Sequence, residues 1–148
     1  MTTADFAAVF AALYAAHQVA DHWIQTDHQA AHKGQPGWAG RRACAAHVAT
    51  YGATQLAAIG ALVLVLNLTV SPAHLAAGMA VNLGTHYLAD RRTPLRWIAG
   101  RLGLAGFLAL GAPRPGRDDN PSLGTGAYAL DQSWHVGWLF IAALIIAA

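Results

Sequence analysis

Histidine and aspartate recur four residues apart at three places in this chain of 148 residues. Side chains four residues apart lie on the same face of an α-helix, so each pair would present both groups to one neighbour. These pairs, with one isolated histidine in the remaining apolar segment, are His17 with Asp21, His86 with Asp90, Asp131 with His135, and His47. Neutral imidazole binds zinc, iron, copper and nickel, and carboxylate suits harder ions. All seven side chains are therefore predicted metal ligands.

The composition of this ligand set indicates the kind of metal site. A structural zinc takes about four ligands, usually with cysteine, whereas this chain has a single cysteine, Cys44. Seven ligands without cysteine predict a catalytic or two-metal site for a divalent ion such as zinc, manganese or iron. The groups predicted to orient a ligand or a bound water are Gln25, Gln132, Asn82 and Tyr51. The alternative is a metal-free polar network that holds the helices in register or relays protons.

No motif in the sequence identifies a nucleophile. The chain lacks G-x-S-x-G, His-Glu-x-x-His and a phosphate-binding glycine loop followed by lysine. No residue is therefore assigned a catalytic role, and covalent catalysis by serine or cysteine is unsupported.

The elements that must position the seven ligands are long and apolar. Hydrophobic residues make up 55% of the chain and charged residues 11%, a balance typical of membrane proteins. A helix needs about 20 residues to cross about 30 Å of hydrocarbon, and helices are predicted over about 6–31, 43–68, 73–91 and 127–148. A short interfacial or re-entrant helix over about 95–111 and a flexible loop over 113–126 lie in the third connection. The sequence predicts an all-α, polytopic membrane protein, with one integral-membrane domain over 1–148 built as a four-transmembrane-helix bundle.

The basic residues predict the orientation of this bundle. All nine lie between Lys33 and Arg42 or between Arg91 and Arg117. Because lysine and arginine concentrate in cytoplasmic loops, both termini are predicted to lie outside a bacterial inner membrane and both basic stretches inside. The seven ligands then converge in the cytoplasmic half of the bundle, since the helices alternate in direction. Nucleic-acid binding is disfavoured, because the arginines flank apolar segments instead of forming one basic face.

The ordered set of polar residues resembles a known family of bacterial and phage membrane proteins, catalogued as domain of unknown function 3307. The resemblance is carried by His17-x-x-Ala20-Asp21, Gln25-Thr26-Asp27, Lys33, His47, His86-x-x-x-Asp90 and Asp131-Gln132-x-x-His135. It spans nearly the whole chain, although the alanine-rich first helix and the long arginine-rich third loop depart from the expected pattern. The resemblance implies a membrane fold and these polar positions, and it implies no established activity.

The leading functional hypothesis is a membrane-embedded metal-site protein that hydrolyses a lipid-like ester or phosphoester at the cytoplasmic face, using an ion that lowers the pKa of a bound water. Arg41, Arg42, Arg91 and Arg92 are candidate contacts for an anionic headgroup. Two other classes stay open. One is proton or metal-ion transport through the histidines and aspartates. The other is a non-catalytic phage or bacterial membrane factor that binds another membrane protein.

Overall fold

A computed structural model describes residues 2–116 and 124–148 of the chain. The described residues form helices and turns without a strand, which confirms the all-α prediction for this part of the chain. In chain order the helical elements are α1 (Thr3–Val19), a π-helical turn (Ala20–Ile24), α2 (Asp27–His32), α3 (Gly37–Leu66), α4 (Pro72–Asp90), α5 (Thr93–Arg101), α6 (Ala105–Leu108) and α7 (Gly126–Ile146). The centre of the predicted flexible loop, 117–123, lies outside the described residues.

The four long helices α1, α3, α4 and α7 pack as a bundle, and one half of that bundle is apolar. Its core combines the N-terminal half of α1 with the C-terminal halves of α3 and α7, through Val9, Leu13, Ile59, Leu139 and Ile146. Helices α3 and α7 therefore run in the same direction, and α1 runs opposite to both. The buried polar residues occupy the other half of the bundle.

Two helices of the described chain, α3 and α7, are long and apolar enough to cross a membrane. Only 22% of the apolar stretch of α3 and 28% of the apolar stretch of α7 is buried inside the protein. Large apolar side chains such as Leu64, Val65 and Phe140 point away from the bundle. A core helix of a water-soluble protein would bury most of that surface. Of the other two predicted spans, α1 has 17 residues and α4 carries several polar side chains along its 19 residues.

The first predicted helix, 6–31, is broken in the structure. Its regular part ends at Val19, and after the π-helical turn the backbone of Gln25 becomes extended, with ψ 127°. Thr26 then starts α2 with a reciprocal capping box: its hydroxyl accepts a hydrogen bond from the Gln29 amide, and the Gln29 side chain accepts one from the Thr26 amide. A capping box satisfies amides that a helix start leaves unpaired, so it favours a new helix at this point.

The other boundaries follow the prediction with smaller differences. Helix α3 begins at residue 37 instead of 43, α4 spans 72–90 and α7 spans 126–146. The predicted interfacial helix over 95–111 consists of two short helices, α5 and α6. Gly103 lies between them with φ +74°, a conformation that interrupts a right-handed helix and that glycine adopts without strain.

Helices α4 and α7 approach each other closely at Gly78. A Cβ atom at this position would overlap the Ile146 side chain and lie 2.8 Å from the Ala142 carbonyl oxygen. Small residues allow such close backbone contact, which is a main source of helix association in lipid. Gly78 lies near the start of α4 and Ile146 at the end of α7, so these two helices are antiparallel.

Candidate metal centre

The polar half of the bundle brings all seven predicted ligands into one connected cluster. The side chains come from the C-terminal ends of α1 and α4, the N-terminal parts of α3 and α7, and the π-helical turn. Within this cluster, three groups have ligand atoms that all lie within 4.8 Å of one another: His17, Asp21 and His86; His47, His86 and Asp90; Asp90, Asp131 and His135. Buried histidine and aspartate groups that could hold a metal ion are therefore present.

Four ligand atoms at the centre of the cluster lie close together, and five of the six distances among them are 3.0–3.6 Å. His47 Nε2 lies 3.0 Å from His86 Nε2 and 3.4 Å from Asp21 Oδ1. Asp90 Oδ2 lies 3.2 Å from both imidazole nitrogens, and Asp21 Oδ1 lies 3.6 Å from His86 Nε2. Metal–ligand bonds of about 2.0–2.2 Å would place neighbouring ligand atoms of a tetrahedron about 3.3–3.6 Å apart. His47, His86, Asp21 and Asp90 form the inner part of the cluster, in which each carboxylate oxygen and the two imidazole nitrogens have about the spacing of three ligands of one ion.

Hydrogen bonds within the described part of the protein do not satisfy the two carboxylate oxygens of this group. Asp21 Oδ1 and Asp90 Oδ2 are buried and have no hydrogen-bond partner among the described residues. The two imidazole nitrogens can share one hydrogen between them, which would leave the carboxylate oxygens unpaired. An unpaired buried oxygen costs free energy. A cation bound among the four atoms would satisfy all of them together.

The remaining three predicted ligands form an outer group beside these four. The His135 ring lies 4.3 Å from the His86 ring and 5.1 Å from the His17 ring, measured between centroids. Asp131 Oδ2 lies 3.6 Å from His135 Nε2, and the Asp131 side chain is 31% exposed. His17 Nδ1 lies 3.5 Å from Asp21 Oδ2. The outer group therefore contacts the inner ligands and reaches the surface at Asp131.

Two of the four predicted supporting residues contact the cluster, and a third, Asn82, contacts one of these two. Gln132 lies between the outer ligands, with its carbonyl oxygen 3.4 Å from His17 Nε2 and its amide donating to Asp131 Oδ2 at 3.3 Å. The Tyr51 ring stacks on His86 at 3.8 Å, and its hydroxyl donates to Asn82 Oδ1 at 3.0 Å. These contacts fix ring orientation, as groups around a metal ligand commonly do.

Two glutamines complete the polar interior. Gln25 Nε2 is buried without a hydrogen-bond partner among the described residues, so this atom donates no hydrogen bond to a predicted ligand there. Gln55 is fully buried, and its amide donates to the Leu13 carbonyl at 3.2 Å. The sequence places Gln55 on the same helix face as His47 and Tyr51, which was the available signal for its position.

Lys33 is the functional residue that the predicted ligand set does not contain. Its Nζ lies 2.7 Å from Asp90 Oδ1, and both side chains are largely buried. Arg91 holds the segment that carries Lys33, because its guanidinium donates to the carbonyl oxygens of Lys33 and Gln35. Since Lys33 occupies the outer oxygen of Asp90, that carboxylate is poorly placed to bridge two ions.

The π-helical turn is the local feature that places Asp21 in the cluster. The Gln25 amide donates to the Ala20 carbonyl at 2.9 Å, five residues back, which widens the helix around Asp21. Asp21 keeps its contact with His17 and also reaches His47 and His86. Such single π-turns inside α-helices occur frequently at functional sites.

Comparison of this chain with protein-family models, with curated proteins and with solved structures gives no match. The resemblance to domain of unknown function 3307 therefore stays a prediction that rests on the residues alone.

Proposed function

We propose that this protein is an integral membrane metalloprotein that binds one divalent ion near the cytoplasmic surface and uses it to hydrolyse an ester of a lipid-like molecule. His47, His86, Asp21 and Asp90 hold the ion, and His17, Asp131 and His135 lie around it. The observation that carries the proposal is the meeting of four buried ligand atoms from three elements, with five of the six distances among them at 3.0–3.6 Å. Two of these atoms lack a hydrogen-bond partner among the described residues.

The directions of the helices support four membrane crossings. Helices α3 and α7 both have the length and hydropathy of a span, and both begin at the metal centre. Two spans that run in the same direction require a return crossing between them. Helix α4 runs opposite to both and has 19 residues, or about 28 Å at the usual helical rise. We propose that α4 makes this return and that α1, which packs antiparallel to α3, makes the first crossing.

The basic residues support a cytoplasmic position for the metal centre. Lys33 pairs with Asp90 of the centre, and Arg41, Arg42, Arg91, Arg92 and Arg96 lie at the same end of the bundle. Among the described residues of the long helices, the opposite end carries no lysine or arginine. Exposed tryptophans such as Trp23, Trp38 and Trp97 also lie at this end, as in the aromatic belts of membrane proteins. The positive-inside rule then places this end in the cytoplasm and the termini outside.

Hydrolysis requires that the ion keep a position for water or substrate. Four protein ligands complete a tetrahedral zinc, but zinc can expand to five ligands, and manganese and iron commonly take more than four. The open side of this centre is at Asp131, because that side chain is the exposed member of the cluster. A bound divalent ion would polarise the reacting ester and lower the pKa of a coordinated water.

Transport is less well supported than hydrolysis. A proton or ion path would need polar groups through the full height of the bundle. Beyond the buried Gln55 and Asn82, the described core consists of apolar side chains, including Val9, Ile59, Leu139 and Ile146. This apolar half leaves the cluster open towards one face only.

Elemental analysis of the detergent-purified full-length protein tests the metal site. We expect about one equivalent of zinc, manganese or iron in the wild type and its loss in His86→Ala and Asp21→Asn, because each substitution removes one of four inner ligands. His22→Ala is the matched control: His22 lies in the same turn as Asp21, is exposed and bonds the Gln18 carbonyl. Absence of metal from wild-type protein purified without chelators would overturn the metal site and favour a structural polar network.

Hydrolysis is tested separately, on protein already known to contain metal. Of two fluorogenic substrate classes, carboxylic esters and phosphoesters, at least one should be cleaved by the wild type and by His22→Ala, and neither by His86→Ala. Metal-loaded protein that cleaves neither class would contradict the hydrolase assignment and indicate a structural ion.

A further inference from the structure

A cavity of about 260 Å³ lies beside the metal centre, between the end of α4, helix α5 and the start of α7. Its inner wall includes Asp90 and Asp131, which belong to the cluster. Its other walls include three cationic side chains, Lys33, Arg92 and Arg96. The cavity is therefore lined both by ligands of the proposed ion and by positively charged side chains.

Arg92 is held at this cavity by its backbone and by its neighbours. Its φ is +60° with ψ −44°, a conformation that residues with a side chain rarely adopt. Its side chain packs over Gly34, where an added Cβ would lie 2.7 Å from Arg92 Cδ, and its guanidinium donates weakly to the Ala30 carbonyl at 3.4 Å. Backbone strain of this kind persists where the surrounding structure imposes it, often at binding sites.

The other two cationic side chains, Lys33 and Arg96, differ in whether a carboxylate already pairs with them. Lys33 pairs with Asp90 at 2.7 Å. Arg96 is exposed, and no described residue forms an ion pair or a side-chain hydrogen bond with its guanidinium. Arg92 and Arg96 thus form no ion pair with a carboxylate of the described chain, although Asp131 lines the same cavity.

We infer that this cavity binds the phosphate of a phosphoester, and that phosphoesters, not carboxylic esters, are the substrate class of the proposed hydrolase. Arginine recognises phosphate oxygens through paired, charge-assisted hydrogen bonds, and a neutral carboxylic ester offers no such negative charge. The inference rests on the proposed function. In the reaction, the oxygen of a water molecule bonds to phosphorus and the ester P–O bond breaks. One water proton goes to the departing alcohol, and the other stays on the phosphate product.

The size of the cavity limits what it can hold. Sites for whole small molecules usually measure about 300–1,000 Å³, so about 260 Å³ suits a phosphate with a short adjoining segment. The rest of the substrate would lie outside, in lipid or in water. A lipid headgroup and a soluble phosphomonoester share this chemistry.

The arginines proposed from the sequence divide between two places. Arg92 lines the cavity, whereas Arg41, Arg42 and Arg91 line a separate groove with Trp38 and Trp97. The Arg91 guanidinium is already bonded to the carbonyls of Lys33 and Gln35. Arg92 and Arg96 are therefore the residues whose removal should affect phosphate binding.

Binding of inorganic phosphate to the detergent-purified full-length protein tests the inference. Calorimetric titration of the metal-depleted protein should show weak binding, which Arg92→Gln and Arg96→Gln each reduce by about tenfold, as expected for loss of a charge-assisted hydrogen bond. Gly34→Ala should also weaken binding, because it displaces the Arg92 side chain without removing its charge. Arg101→Gln is the matched control, since Arg101 lies on the same helix and stacks on Trp97 outside the cavity. Equal phosphate affinity in all variants, or none in the wild type, would overturn the inference.

Competition for this site identifies the source of the phosphate. Nanodiscs that contain phosphatidic acid and soluble glycerol 3-phosphate are titrated against bound phosphate at equal concentration. Stronger competition by the nanodiscs assigns a lipid substrate, stronger competition by glycerol 3-phosphate assigns a soluble one, and competition by neither rejects the phosphoester class. Because these titrations use metal-depleted protein, a protein that does not bind metal and a protein that does not bind phosphate give separate results.

Discussion

Lys33 pairs with one carboxylate oxygen of Asp90, which leaves that carboxylate poorly placed to bridge two ions. We therefore predict about one equivalent of metal per chain. We expect His135→Ala to retain it, because His135 lies outside the four proposed inner ligands, although its ring nitrogen is within 4.8 Å of ligand atoms of Asp90 and Asp131. His47→Ala should lose the ion. Titration of metal-depleted protein with zinc or manganese, followed by elemental analysis, gives the stoichiometry. Two equivalents in the wild type, with one removed by His135→Ala, would show instead a two-metal site.

At the same scale, the sequence predicted the seven clustered side chains because their contacts follow from regular geometry. A four-residue spacing puts histidine and aspartate on one helix face, and alternating helix directions bring the pairs to one height. The contact between Lys33 and Asp90 follows no such rule. It depends on the path of the segment after α2 and on its attachment to Arg91, which a periodic pattern does not describe.

Among the elements, α4 and α7 make the closest approach in the bundle, and this gives a test of how the helices are held together. Gly78→Ala should destabilise the protein by about 1–3 kcal/mol, the usual range for an overpacked contact, because the new methyl group meets Ile146 and the Ala142 carbonyl. Gly84→Ala in the same helix is the control, since nothing lies within 4 Å of a Cβ there. Thermal unfolding in detergent should show a lower Tm for Gly78→Ala and an unchanged or higher Tm for Gly84→Ala. Equal Tm values would mean that this contact does not limit stability.

The break in the first predicted helix shows which local signals were decisive. The apolar and polar periodicity continues from α1 through His28 and His32, and it predicts one helix over 6–31. The sequence Thr26-x-x-Gln29 is also a capping box, and in the structure this signal prevails and starts a new helix. The π-helical turn just before it has no comparable signature in the sequence, because its wider hydrogen-bond pattern depends on the packing of Asp21 against α3 and α4.

At the scale of the whole molecule, the bundle separates an apolar end from a polar end, and that division was predictable from where the polar pairs fall along each helix. The number of membrane crossings is harder to predict from the sequence than this division. Polar residues that build the metal centre lower the hydropathy of α4, and the π-helical turn shortens the regular part of α1. Helices α1 and α4 are thus the two long helices whose length and hydropathy are least typical of membrane spans. They are also the helices that contribute the pairs His17–Asp21 and His86–Asp90.

Cysteine labelling distinguishes four crossings from two. In a Cys44→Ala background, which removes the only cysteine, single cysteines are introduced at Thr69, before α4, and at Ala112, after α6; both positions are exposed. If α4 crosses the membrane, these sites lie on opposite faces, so a membrane-impermeant maleimide should label Thr69→Cys in intact cells and Ala112→Cys only after permeabilisation. Gln35→Cys should behave like Ala112→Cys, since the metal centre and both basic stretches lie at that end.

Labelling of Thr69→Cys and Ala112→Cys from the same face would place α4 outside the membrane. That result would force α3 and α7 to cross in opposite directions, which is incompatible with a bundle in which both helices begin at the metal centre.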